Sequence, residues 1–320
     1  MYRQPMTVLV FHEQNDHRTA QIAKELDAGF THEKALTLWL NKSPPPEGIS
    51  SASQVAWYLG HPIWWMPTIT QLPQNVDIAL ANRSHLASTH RTITPNNTVA
   101  YLPPAATRVL DHDCERDIDV LFVGTAMDCL QLEPMVQEAS QWITTEPSYS
   151  LESIAQLVYA KNRTYLNPSA ELQMMQRALY QAISTARAKI VASLLDLPCE
   201  VRIHGLNQPD GATTYQETLA LMHRSKIFVC HTPDVGMDNT HLALDAALRG
   251  CWVVATPCPF LDSIGLRYTR IQPKQNWESV LQALKPELLQ ADIEQNQKII
   301  SRAHLWSHRA KHLENGRISI

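Results

Sequence analysis

The sequence predicts an α/β chain whose strands are parallel and covered on both faces. Three observations predict it: short apolar runs rich in β-branched residues recur, helical patterns separate them, and a polar, proline-containing stretch divides them into two groups. The runs are Thr7 to Phe11, Val76 to Leu80, Val99 to Leu102, Val120 to Val123, Val201 to Ile203, Ile227 to Cys230 and Trp252 to Ala255. They lack the strict alternation of a strand with one wet face, so they suit parallel strands with helices on both sides.

The clearest helix is expected from about Ser169 to Leu195. Leu172, Met175, Leu179, Ile183, Ala186, Ile190 and Leu194 step by three or four residues and mark one buried face. Further helices are expected over Thr19 to Asp27, Glu33 to Leu40, Tyr215 to His223, His241 to Arg249 and Trp277 to Leu284, with a long terminal one from about Pro286 to Leu313. The stretch PPAATRVLDHDCERDI at 103–118 reads as a linker or a surface loop between two α/β units, 1–113 and 114–299.

Composition disfavours several classes. Lys plus Arg is 27 and Asp plus Glu is 31, a formal charge of -4, so no basic field exists to hold nucleic acid or an anionic membrane. The first apolar stretch is too short for a signal peptide and no later one approaches a membrane span, so a cytoplasmic protein is expected. Six cysteines form no C-x-x-C pair and read as free thiols. The fourteen histidines make neither H-E-x-x-H nor a Cys/His zinc pattern, so no metal is assigned.

Open parallel sheets bind ligands at the carboxyl ends of their strands. The loops there carry Gly124-Thr125-Ala126 after Val123 and His204-Gly205 after Ile203. Neither forms a dinucleotide or P-loop fingerprint. The richest stretch is CHTPDVGMDNTHLALDAALRGCWVVATPCP at 230–259. Asp238 or Asn239 can cap a helix beginning near Thr240 and His241, whose free N–H groups would seat a diphosphate. Asp245 lies inside that helix, where a carboxylate could accept the vicinal hydroxyls of a ribose, and Gly250 ends it. His231, directly after a strand, either donates to a phosphate or is a structural histidine.

Taken together, "VAWYLGHPIWW", "VDIALANRSHL", "TVAYLPPAAT", "RDIDVLFVGTA", "YQETLALMHRSKIFVCHTP", "HLALDAALRGCWVVAT" and "AHLWSHRAKHL" resemble the glycosyltransferases grouped with the spore-maturation protein B family, over about residues 55–313. The resemblance implies the GT-B fold, two Rossmann-like domains facing across a cleft. A nucleotide-diphosphate sugar would lie on the C-terminal unit and the acceptor on a trimmed N-terminal one, with no separate cofactor. Helix 300–320, carrying Trp306 and Arg309, would cross back to the N-terminal unit. It also implies that Asp245 contacts the donor ribose and that Gly124, His204 and Gly205 line the donor site. The chain departs from many relatives in having Leu242 in place of an arginine, Met237 in place of an acid, and no basic residue in Ala126-Met127-Asp128.

Transfer in an inverting reaction needs a base on the acceptor side. His12 or Glu13, after the first strand, and His61 in "LGHPIWW" are the candidates. Trp57, Tyr58, Trp64 and Trp65 around His61 either stack on a sugar or fill a core. The expected function is sugar transfer to a glycan, protein or small molecule. The competing readings are a catalytically silent binding protein and a nucleotide-sugar epimerase or hydrolase.

Overall fold

The computed structural model describes residues 8–12, 17–31, 36–40, 53–59, 64, 72, 76–81, 98–109, 114–124, 133–146, 151–163, 166–205, 208–231, 240–271 and 275–315. Two all-parallel sheets organise them. The first contains β1 (Val8–His12), β2 (Leu36–Leu40), β3 (Ser53–Tyr58), β4 (Val76–Leu80) and β5 (Val99–Tyr101), in that spatial order. The second contains β6 (Ile118–Val123), β7 (Val201–His204), β8 (Ser225–Cys230), β9 (Trp252–Ala255) and β10 (Thr269–Arg270), ordered β10-β9-β8-β6-β7. Every pairing in both is parallel.

Leu36–Leu40, expected to be helical, is a strand. Its five residues are all buried, and alternate side chains enter opposite layers: Leu36, Leu38 and Leu40 join one core, Trp39 the other. A strand does this with period two, whereas a five-residue helix would leave one face wet. Among the described residues the first sheet therefore has five strands. Trp57 and Tyr58 belong to β3 and are fully buried, so they fill cores on the two sides of the sheet.

Helix α1 (His17–Gly29) covers the first sheet together with the chain's last described helix. After β6 come α2 (Pro134–Thr145), α3 (Leu151–Asn162) and α4 (Pro168–Leu195). Asn167 caps α4 by accepting from the Ala170 N–H at 2.9 Å, and Pro168 occupies its first turn, where no N–H partner is needed. The first half of α4 packs with α2 and α3 around Val136, Ile143, Val158 and Leu179, and the second half lays Ile190 and Leu194 on the second sheet.

The remaining helices are α5 (Tyr215–Arg224), α6 (Thr240–Leu248), α7 (Pro259–Ser263), α8 (Trp277–Ala283), α9 (Gln290–Ala303) and α10 (Trp306–Glu314). Thr214 and Glu217 cap α5 reciprocally. Every residue of α6 is buried. It ends as expected: Gly250 takes φ 81°, and the Cys251 N–H returns to the Ala246 carbonyl at 2.9 Å. The long terminal helix is interrupted. A 3₁₀ turn at Pro286–Leu289 precedes α9, and His304 and Leu305 separate α9 from α10.

That break receives the stretch read as a linker or surface loop. Residues 102–107 are buried, and Ala106 forms a parallel bridge with Leu305. Two prolines suit burial because they bring no N–H that needs a partner. Their carbonyls accept from Arg309: Nε to Pro103 O at 2.9 Å and Nη2 to Pro104 O at 3.2 Å. Beyond them Trp306 meets Trp57 edge-on at 5.5 Å between ring centres, inside the core of the first sheet. Residues 103–107 are thus a buried strap held by α10.

Candidate functional site

The order of the second sheet locates a crevice. From β6 the chain first adds β7 on one side, then crosses to add β8, β9 and β10 on the other. The helices that follow β6 and β8, α4 and α6, pack on opposite faces of the sheet, and at such a switch point the expected ligand crevice lies at the carboxyl ends of the two strands. Those ends are Val123-Gly124 and Cys230-His231. The first sheet runs in sequence order and has no such switch.

At the crevice the structure brings together Gly124, His204, Gly205 and His231. The two glycines serve close packing. The Gly124 N–H donates to the His204 carbonyl at 2.9 Å, and the Gly205 N–H donates to the Gly211 carbonyl at 2.9 Å. A Cβ on Gly205, at φ 150°, would lie 2.4 Å from the Gly124 carbonyl oxygen, so only glycine lets these strand ends meet. The amides of both glycines are engaged within the protein. His231 is 8% exposed, and its Nδ1 has no hydrogen-bond partner among the described residues. Burial, helped by the charge of Arg187, pushes its pKa down to about 3, so it is neutral at physiological pH.

Arg187 is the residue the sequence reading missed. It sits on α4, is 5% exposed, and its Cδ lies 3.5 Å from where a Gly124 Cβ would be. Burial lowers its pKa, opposed by the neighbouring Cys230 and Tyr180. A signal existed. Arg187 falls four residues after Ile183 and three before Ile190, so it interrupts the buried stripe of α4 with a charge.

Asp245 occupies a different environment. Its side chain is wholly buried, and both oxygens are engaged within the protein. Oδ1 accepts from the Thr107 N–H at 2.7 Å and from Arg249 Nη1 at 3.3 Å; Oδ2 accepts from the Tyr215 hydroxyl at 2.5 Å. Arg249 Nη1 also reaches the Thr107 carbonyl at 3.3 Å. This differs from the ribose-facing role expected for Asp245, because the carboxylate fastens the 103–107 strap to α6 and has no exposed surface to offer a hydroxyl pair. Burial raises its pKa to about 6, opposed first by Arg249 and then by the Tyr215 hydroxyl.

Thr240 and His241 begin α6 and are both buried. Thr240 Oγ1 lies 3.7 Å from Cys258 Sγ, and the His241 ring is tilted against Tyr215 at 6.3 Å between centres. His12 ends β1, whose backbone alone is described. Glu13, His61, Thr125, Asp238 and Asn239 lie outside the described residues, as do Met237 and Ala126-Met127-Asp128.

No family model and no curated protein matches the chain. Among solved structures, a sucrose-phosphate synthase from Thermosynechococcus elongatus aligns with a TM-score of 0.46 and 10% identity, over 88% of this chain and 72% of its own. AviGT4, a glycosyltransferase involved in avilamycin A biosynthesis, gives 0.40 and 12% over 98% and 99%. The spinosyn rhamnosyltransferase SpnG, complexed with spinosyn aglycone, gives 0.42 and 9% over 97% and 100%. With each of these TM-scores below 0.5, function has to be argued from this chain's own residues. No helix among the described residues is long and apolar enough to cross a membrane.

Proposed function

We propose that the protein is a glycosyltransferase that takes a sugar from a nucleotide-diphosphate donor and passes it to a glycan, protein or small-molecule acceptor. The observation that carries this reading is the switch point of the second sheet, with His231 and a buried cation at the carboxyl ends of β6 and β8. A diphosphate is the ligand chemistry that a crevice of this kind accommodates. The sequence resemblance to the spore-maturation protein B group points the same way.

On this reading the chemistry is leaving-group stabilisation joined to acceptor deprotonation. Neutral His231 donates to a phosphoryl oxygen, and the start of α6, which follows β8, adds its backbone N–H groups and dipole at the same carboxyl edge of the sheet. The base comes from the first unit, with His12, Glu13 and His61 as candidates. This scheme uses protein groups alone to carry the developing charge.

A calorimetric screen against UDP-, GDP-, ADP-, CMP- and dTDP-linked sugars tests the proposal. Binding of one nucleotide class is expected; absence of binding to every donor contradicts it. Alanine at His12, Glu13 or His61 is then expected to spare donor binding and reduce transfer, and unchanged turnover excludes that residue as the base. A second reading, nucleotide-sugar binding without transfer, is favoured by one observation: the acid expected to hold the ribose is committed to the strap. Donor binding with no transfer to any acceptor selects it.

A further inference from the structure

The chain lacks the basic residue that the resemblance led us to expect shortly after Gly124, yet a cation arrives at that point from elsewhere in the fold. Helix α4 spans 28 residues, and its second half lies across the sheet beneath β6. The aliphatic stem of Arg187 lies against Gly124, its Cδ 3.5 Å from where a Cβ would stand. On the other side of the switch point, His231 at the end of β8 feels the same charge, and so does the preceding Cys230. Arg187 therefore lies against the carboxyl end of β6, and its charge is felt at the end of β8.

We infer that Arg187 is a diphosphate-binding residue of this chain, supplied by the helix after β6 rather than by the loop, and that the buried His231, whose Nδ1 has no partner among the described residues, completes the site with it. The inference deepens the proposed function and rests on it for the nucleotide-sugar. Arginine suits the position because its planar fork offers paired donors to phosphoryl oxygens and is more weakly hydrated than an ammonium. Burying a cation beneath a sheet is costly. The charge of an arriving diphosphate favours the protonated guanidinium that burial opposes. His231, held neutral by the same burial, completes the site with a donor that adds no repulsion to Arg187.

The test compares three probes on purified full-length protein by calorimetry: inorganic diphosphate, the nucleoside diphosphate of the best donor class, and the matching nucleoside. The wild type is expected to bind all three. In Arg187→Gln the two phosphorylated probes should weaken about ten- to a hundredfold while the nucleoside is unchanged. Where Arg187→Gln does not fold, Arg187→Lys carries the test: charge is kept, the paired donors are lost, and diphosphate affinity should fall several-fold against a constant nucleoside.

Diphosphate binding unaltered in a folded variant overturns the inference, and so does an equal loss for the nucleoside. Nucleotide binding that survives Arg187→Gln removes Arg187 and leaves the proposed function standing. Arg187-dependent binding of inorganic diphosphate without binding of any nucleotide keeps the anion site and removes the nucleotide-sugar reading. A wild type that binds none of the probes contradicts both.

Discussion

Replacing Asp245 with alanine separates a carboxylate that holds protein from one that holds ligand. The change deletes the acceptor for the Thr107 N–H, the Tyr215 hydroxyl and one Arg249 nitrogen, in a site with no solvent access to replace it. Leaving a buried cation without its carboxylate costs about 3–5 kcal/mol. Each buried donor left without an acceptor costs about 1–3 kcal/mol alone, but these three share one site and do not add. The expected loss of folding stability for Asp245→Ala is about 3–5 kcal/mol. Asp245→Asn keeps an oxygen for Thr107 and can donate to the Tyr215 oxygen, so its expected cost is smaller, about 1–3 kcal/mol.

The carboxylate also leaves a signature in pH. Its folded pKa of about 6 exceeds the value of about 3.9 for an unfolded aspartate, so the folded state holds the proton more tightly. Its favourable contribution is fully present below about pH 4 and is lost as the pH rises to about 6. Urea unfolding of wild type and Asp245→Asn across that range should show a decline in wild type that the asparagine variant lacks. Midpoints are compared at constant m. An alanine variant within about 0.5 kcal/mol of wild type, or identical pH profiles, would refute the strap-fastening role.

Three further perturbations follow from the same geometry. Tyr215→Phe removes a buried hydroxyl that donates to Asp245 and lies 2.8 Å from Thr107 Oγ1, and should cost about 1–2 kcal/mol in chemical denaturation. Trp306→Ala opens a cavity against Trp57 in the first core and should cost about 3–5 kcal/mol; a loss below about 1 kcal/mol would mean α10 is not anchored there. Gly205→Ala forces a Cβ onto the Gly124 carbonyl in a backbone conformation that alanine rarely adopts, so it should lower the melting temperature and weaken inorganic diphosphate binding together. Unchanged diphosphate affinity in that variant would separate the Gly124–Gly205 contact from the crevice.

Four strands of the second sheet were legible because they are apolar runs separated by strong helix signals; the two-residue β10, Thr269–Arg270, carries no such run and was not expected. Tyr215 begins α5 where expected, and α6 ends at Gly250 for the conformational reason that glycine supplies. The first sheet was harder. Leu36–Leu40 and Ser53–Tyr58 are buried on both faces, so they carry no alternation, and LTLWL is too short for periodicity to separate helix from strand. The strap was misjudged because proline and polar composition usually mark exposed connections, whereas here the carbonyls are satisfied by Arg309, more than 200 residues away.

The same distance argument explains the site. Asp245 stood out in sequence as an acid inside an apolar helix, but its partners Thr107 and Tyr215 come from separate elements that only folding brings together. Arg187 was legible in principle, as a charge on a buried stripe, and was passed over because phosphate-binding groups were sought in loops. Crevice location, by contrast, follows from strand order, which the sequence does not state.

Hydrogen–deuterium exchange, recorded with and without saturating nucleotide-sugar across the donor panel, tests the central claim most directly. The account predicts that one donor class slows exchange in peptides ending β6 and β8, around Gly124 and His231, and in the second half of α4 around Arg187. Protection confined to the first sheet, or none with any donor, would contradict it.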